Sequence, residues 1–219
     1  MTVVLLHAFP LDERMWEPQL EALAGHGVFA PNLYRLGSSM EAWGEAVLAS
    51  VDGPFVGAGA SMGGYCALAI ARRAPERLEG LLLAGARAEA DSPERRDSRA
   101  ETIELIRSEG ATGLWEDMRS KLFPEHADPE DVERARQIVL DQDPDELVRA
   151  VGAIRDRPDS RDLLESLQAP VAVAVGEHDP FLPVDEAPRG RLHVFDGVGH
   201  LPSLERPDEF NRLLLDLVG

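Results

Sequence analysis

Ser61 stands in Gly59-Ala60-Ser61-Met62-Gly63-Gly64, a run of small residues around one hydroxyl. The run follows an apolar segment of strand character, Phe55 to Ala60, and precedes a helical one, Met62 to Arg73. A serine on so sharp a turn takes a strained backbone conformation, and its neighbours two residues away must be tiny. Gly59 and Gly63 meet that condition. The helix start behind the serine offers free N–H groups and the positive end of a dipole, which favour a developing oxyanion. The Met62 N–H is one expected donor. A serine hydroxyl is a weak nucleophile alone; it needs a base within reach and a group that orients the base. His200, in Gly197-Val198-Gly199-His200-Leu201-Pro202, is the candidate base. Asp179, in Gly176-Glu177-His178-Asp179-Pro180, is the candidate orienting acid. The chemistry this trio supports is acyl transfer.

The three groups must be delivered to one place by the elements before them. Val3–Leu6, Val28–Ala30, Phe55–Ala60, Leu81–Ala84, Pro170–Val175 and Leu192–Phe195 read as buried strands. Helical spacing covers Met15–Leu23, Met40–Val51 with Ser39 as N-cap, Met62–Arg73 and Leu204–Leu217. The alternation predicts an α/β fold, a mostly parallel sheet of about six strands with helices on both faces. Ser61, Asp179 and His200 each follow a strand and so share its carboxyl edge, where open parallel sheets bind ligands. His7-Ala8-Phe9-Pro10 ends the first strand at that edge. The Phe9 N–H is the expected second oxyanion donor, since Pro10 has none to offer. Residues 88–168 carry no strand-like run. They read as a helical cap insert with helices near 93–109, 111–120, 129–141, 144–155 and 160–167, set into a core of residues 1–87 and 169–219. Trp115, Met118, Leu122 and Leu201 are candidate substrate contacts, against the alternative that an apolar helical stripe simply packs.

Formal net charge is -18, from 40 acidic and 22 basic side chains, and this surface would repel a phosphate backbone or an anionic membrane. Lys121 is the only lysine, which reads as compositional bias. A single cysteine, Cys66, permits no intrachain disulfide and reads as a buried helix position. The start at Met1 shows no signal segment, and no stretch is long enough to span a bilayer, so a cytoplasmic location is the default expectation. Histidine spacing suggests no metal site, and the chemistry asks for no cofactor. His7 reads as a brace of the oxyanion loop and His178 as structural. Asp91 is the rival acid, but its Ser-Pro-Glu sequel makes it a better helix cap. Gly57-x-Gly59-x-x-x-Gly63 also looks like a dinucleotide-binding turn, but that fingerprint follows a first strand, and here it follows the third.

The order Ser, Asp, His along the chain is that of the α/β-hydrolases. Over nearly its whole length the sequence resembles that superfamily, and within it small bacterial carboxylesterases and enol-lactonases that cleave 3-oxoadipate enol-lactone. His7-Ala8-Phe9-Pro10-Leu11-Asp12 with Met15-Trp16 is similar to that group's opening segment. Gly199-His200-Leu201-Pro202 with Glu205-Arg206-Pro207-Asp208-Glu209-Phe210-Asn211 is similar to its ending. The resemblance implies the α/β-hydrolase fold and a small-molecule ester or lactone as substrate. The same triad also serves lyases, C–C bond hydrolases and perhydrolases, and a slow-turnover ligand-binding protein is a further alternative. The sequence departs from the group at Ala8 and Ala60. The sequence reads as opening on the strand before His7, without the hairpin expected of the family there, and a proline-rich loop stands after Asp179 where relatives place a helix. That loop predicts bare apolar sheet surface, which a second copy would cover as a homodimer.

Overall fold

The computed structural model of the chain describes residues 1–219. Strands β1 (Thr2–Leu6), β2 (Gly27–Phe29), β3 (Phe55–Ala60), β4 (Leu78–Ala84), β5 (Val171–Gly176) and β6 (Arg191–Phe195) form one sheet in the order β2-β1-β3-β4-β5-β6. Every pairing is parallel. From β1 the chain steps outward to β2 and then returns to β3 on the other side of β1. The crevice therefore opens at the carboxyl ends of β1 and β3, the switch point of the sheet.

Period-two alternation sends Val4, Leu6, Leu81 and Leu83 into one core layer and Val3, Leu5, Val56, Ala58 and Leu82 into the other. The short α1 (Glu17–Leu20) lies on the second side. Helices α2 (Met40–Ser50) and α3 (Met62–Arg73) cover the first, with Trp43, Val47, Cys66 and Ile70 buried there. Between β4 and β5 stand α4 (Pro93–Leu122), α5 (Pro129–Leu140), α6 (Pro144–Asp156) and α7 (Arg161–Ser166). The first three begin alike: a Ser or Asp side chain accepts a backbone N–H of the first turn, and proline takes the first helical position. Proline costs nothing there, because that N–H would have no partner in the helix. The insert shares the sheet's cores. Ile106, Leu114 and Val151 join one layer, and Trp115, Leu122 and Ile138 the other. The chain closes with α8 (Pro202–Glu205) and α9 (Pro207–Val218), whose Phe210 and Leu214 are buried in the second layer.

The helices expected at 93–109 and 111–120 stand as the two arms of α4, which Gly110 interrupts at φ 65° and ψ -158°. Three other sequence expectations need correction. The single closing helix is two, because Pro207 holds Arg206 out of the helical region at φ -140° and ψ 61°. The helix expected over Met15–Leu23 is a 3-10 turn, Glu13–Trp16, running into α1, because the Asp12 carboxylate caps the turn by accepting the Arg14 N–H. The sheet surface expected to be bare after Asp179 is covered over β5 and stays open only at the β6 edge. Leu182, with Val184 and Ala187, packs on Val173 and Val175, and Leu192 is the large apolar side chain left exposed on β6. No helix is long and apolar enough to cross a membrane.

The turn into α3 brings two backbones into very close approach. A Cβ on Gly63 would lie 2.0 Å from the Leu6 carbonyl oxygen, and one on Gly59 2.4 Å from that of Gly63. Neither neighbour is a flexible side chain, so β1 or α3 would have to move. Gly63→Ala is expected to cost about 3 kcal/mol. For a domain of this size that lowers the melting temperature by roughly 6–12 °C. A thermal melt by circular dichroism checks it; an unchanged melting temperature would contradict the close approach.

Candidate active site

Ser61 sits at the end of β3 with φ 48° and ψ -110°, the one residue other than glycine with positive φ. A side chain in that region strains the backbone, and such strain clusters at functional sites. Its own N–H donates to Ala84 O at 2.7 Å on β4, and its carbonyl accepts from Gly64 and Tyr65, which ties both sides of the turn. The side chain is half-buried and lines a small pocket with Phe9, Tyr65, Arg99, Met118, Ile154, Phe181 and His200.

His200 and Asp179 meet from two loops. His200 Nδ1 lies 2.8 Å from Asp179 Oδ2, and neither side chain is more than 2% exposed. The other oxygen, Oδ1, accepts from Phe181 N–H at 2.8 Å and Leu182 N–H at 3.2 Å. The carboxylate is therefore fixed at both ends, and a carboxylate accepts only, so His200 Nδ1 must be the donor. That tautomer leaves Nε2 as the free acceptor of the neutral ring. The Phe181 ring packs on the imidazole with centroids 4.7 Å apart. Gly85, at φ 58°, lies under the pair; a Cβ there would come within 2.8 Å of His200 Cε1. His200 N–H donates to Leu122 O at 2.9 Å, so the insert also holds the histidine loop. Ser61 Oγ and His200 share the pocket without a hydrogen bond between them. Such bonds are often long in a free enzyme and tighten with substrate.

The two expected oxyanion donors are available. Phe9 N–H makes no hydrogen bond within the protein, and Phe9 lines the pocket. Met62 is the first residue of α3, so its N–H has no acceptor in the helix. The loop carrying Phe9 is braced by His7, whose Nε2 accepts from Leu33 N–H at 2.9 Å while Nδ1 donates to Ala8 O at 3.1 Å. Burial pushes this imidazole down to about 4, so it stays neutral in that bonding pattern. Burial likewise pushes the Cys66 thiol up, which leaves it an unreactive core group.

Of the four candidate substrate contacts, the structure brings Met118 to the pocket. Trp115, Leu122 and Leu201 are at most 2% exposed and fill the second core layer, as an apolar helical stripe commonly does. Asp91 is not the helix cap; Ser92 is. The Asp91 carboxylate is buried between Arg157 and Arg99. Tyr65, Arg99, Ile154 and Phe181 at the pocket escaped the sequence reading. Tyr65 is one turn beyond Ser61 and Phe181 two residues beyond Asp179, so adjacency was a usable signal for both. Nothing local marks Arg99 or Ile154, which the fold of the insert brings in.

The sequence model of the alpha/beta hydrolase family matches residues 3–213. A thermophilic esterase from Thermogutta terrifontis, solved with malate bound, has a similar structure at TM-score 0.92 and 34% identity, covering 100% of this chain and 89% of that one. The enol-lactonase from Burkholderia xenovorans LB400 is similar at TM-score 0.85 and 24% identity, covering 99% and 90%, a likeness of fold. A 2-hydroxy-6-oxo-6-phenylhexa-2,4-dienoate hydrolase from Comamonas testosteroni is 29% identical over 180 residues; the match takes in 73% of this chain and 61% of that relative's length.

One further carboxylate holds the histidine loop. Glu205 accepts the Gly199 N–H at 3.0 and 3.2 Å, directly before His200. Burial pushes its carboxyl up from 4.5 to about 7. A carboxyl with a raised folded pKa binds its proton more tightly when folded, so this contribution to stability is present at acid pH. It is lost as pH rises from about 4.5 through about 7. The wild-type melting temperature is expected to contain that decline, and Glu205→Gln, which keeps an acceptor but cannot ionise, to lack it. Melts from pH 5 to 8 compare the two slopes; equal slopes would contradict the assignment.

Proposed function

Because the chain belongs to the alpha/beta hydrolase family, we propose that it is a serine hydrolase cleaving a carboxylic ester or lactone through an acyl-enzyme. The observation that carries this reading is the strained Ser61 in one pocket with a His200 already bonded to buried Asp179. Ser61 Oγ attacks the carbonyl carbon as His200 Nε2 takes its proton. Asp179 holds the tautomer and stabilises the imidazolium without taking the proton itself. The carbonyl oxygen becomes an oxyanion held by the Phe9 and Met62 N–H groups, each worth roughly 3 kcal/mol. Collapse expels the alcohol, which takes the proton from His200. Water then repeats the sequence on the acyl-enzyme and frees the acid. All the steps use groups of this chain.

The esterase from Thermogutta terrifontis, similar over the full chain, supports ester cleavage. The name of the Comamonas testosteroni relative favours a second reading, hydrolysis of a carbon–carbon bond by the same trio. Product analysis separates the two. A fluorophosphonate probe is expected to label wild type once, at Ser61, and Ser61→Ala is expected to lower kcat on a p-nitrophenyl ester by about 10⁴-fold or more. Mass mapping of the adduct checks this; a label on another residue, or undiminished turnover by the variant, would refute the mechanism.

A further inference from the structure

Arg99, on the first arm of α4, lines the same pocket as Ser61 and His200. Its Nε donates to Asp91 Oδ2 at 3.1 Å, while its terminal Nη groups make no hydrogen bond within the protein. Asp91 is fully buried and serves a second cation: Arg157 Nη1 lies 2.7 Å from Oδ1. Arg157 is itself 4% exposed, and its Nε is buried without a partner. It donates to Ile154 O and Glu89 O and lies 4.1 Å over the Tyr65 ring. Two guanidinium charges thus share one carboxylate, which leaves the cluster one net positive charge. Arg99 carries its unpaired Nη groups at a wall of the site.

The next cleft continues from this wall, sharing Tyr65, Arg99 and Phe181 with the pocket. Arg87 and Arg95 also line it, and both turn to a single carboxylate, Glu186. A cationic concavity beside the nucleophile is notable in a chain of formal net charge -18. An anion-accepting fork half anchored by a buried acid is held ready for a carboxylate.

Building on the hydrolase reading, we infer that Arg99 is a specificity-determining residue, and that the substrate is an ester or lactone bearing a free carboxylate held by its Nη groups. Phe9, Met118 and Ile154 form the apolar part of the same pocket. They suit the short hydrocarbon segment between the scissile carbonyl and that carboxylate.

The test uses matched ester pairs with the full-length protein. Mono-p-nitrophenyl glutarate is set against p-nitrophenyl pentanoate, with the carboxylate on the acid side. p-Acetoxybenzoate is set against its methyl ester, with the carboxylate on the alcohol side. The reading is the ratio of kcat/KM, acidic over neutral. In wild type at low salt the ratio is expected to exceed one for at least one pair, and to fall as sodium chloride is raised. Overall charge alone predicts the reverse, so a ratio below one for both pairs overturns the inference without need of a variant. In Arg99→Met the ratio is expected to drop at least about tenfold, the loss of a charge-assisted hydrogen bond. Arg99→Lys, which keeps the charge but not the fork, is expected to fall between the two. A ratio unchanged in Arg99→Met overturns the inference while the hydrolase reading stands. Absence of Ser61-dependent turnover on every ester removes the hydrolase reading and this one with it.

Discussion

A carboxylate sealed from water must have its lone pairs matched by donors, or it destabilises the fold that buries it. Asp179 meets that requirement with two backbone N–H groups of its own turn and with the imidazole of His200 at 2.8 Å. The demand is mutual. The acid needs the ring for its second oxygen, and the ring takes from the acid both its tautomer and its orientation. Much of the surrounding structure serves that bond. Gly85 leaves room beneath it, Phe181 packs on the ring, Glu205 holds the preceding amide, and Leu122 accepts the N–H of His200 itself.

Sheet topology then brings the hydroxyl to the bonded pair. The reversal between β1 and β3 opens the crevice, and Phe9 and Ser61 stand at the two strand ends that border it. The turn at Ser61 is strained because α3 starts against the carbonyl of Leu6, which leaves no space for a side chain on Gly63. The strain is local, and the fully buried β3, flanked by β1 and β4, holds it in place. The insert closes the remaining side. It is joined to the sheet through shared apolar layers and through the Leu122 carbonyl, and it contributes Arg99, Met118 and Ile154 to the pocket.

What the sequence made legible follows from how local each signal is. The glycines around Ser61 and the helix after it are contiguous, and β3 and α3 begin and end where their residues predict. The loops bearing Asp179 and His200 could be assigned to one edge because a parallel sheet places all strand ends of one kind together. Lining residues were harder to read. Trp115 and Met118 lie three apart on one arm of α4, yet one fills the core and the other faces the pocket, because the arm's rotation is set by Gly110 and by packing on α6. The Asp91–Arg157 contact joins residues 66 apart, and no periodicity announces it. The bend at Arg206 comes from Pro207, while the apolar spacing continues through the proline and predicts one helix.

A crystal structure of the Ser61 adduct with an alkylphosphonate tests the central geometry most directly. Phosphorus bonded to Ser61 Oγ is expected to hold one oxygen about 2.7–3.1 Å from both the Phe9 and Met62 nitrogens. His200 Nε2 is expected within hydrogen-bond reach of Oγ or the leaving-group oxygen, with the Asp179 bond intact. A phosphoryl oxygen turned away from both amides, or an imidazole that cannot approach the adduct, would contradict the arrangement on which the catalytic reading stands.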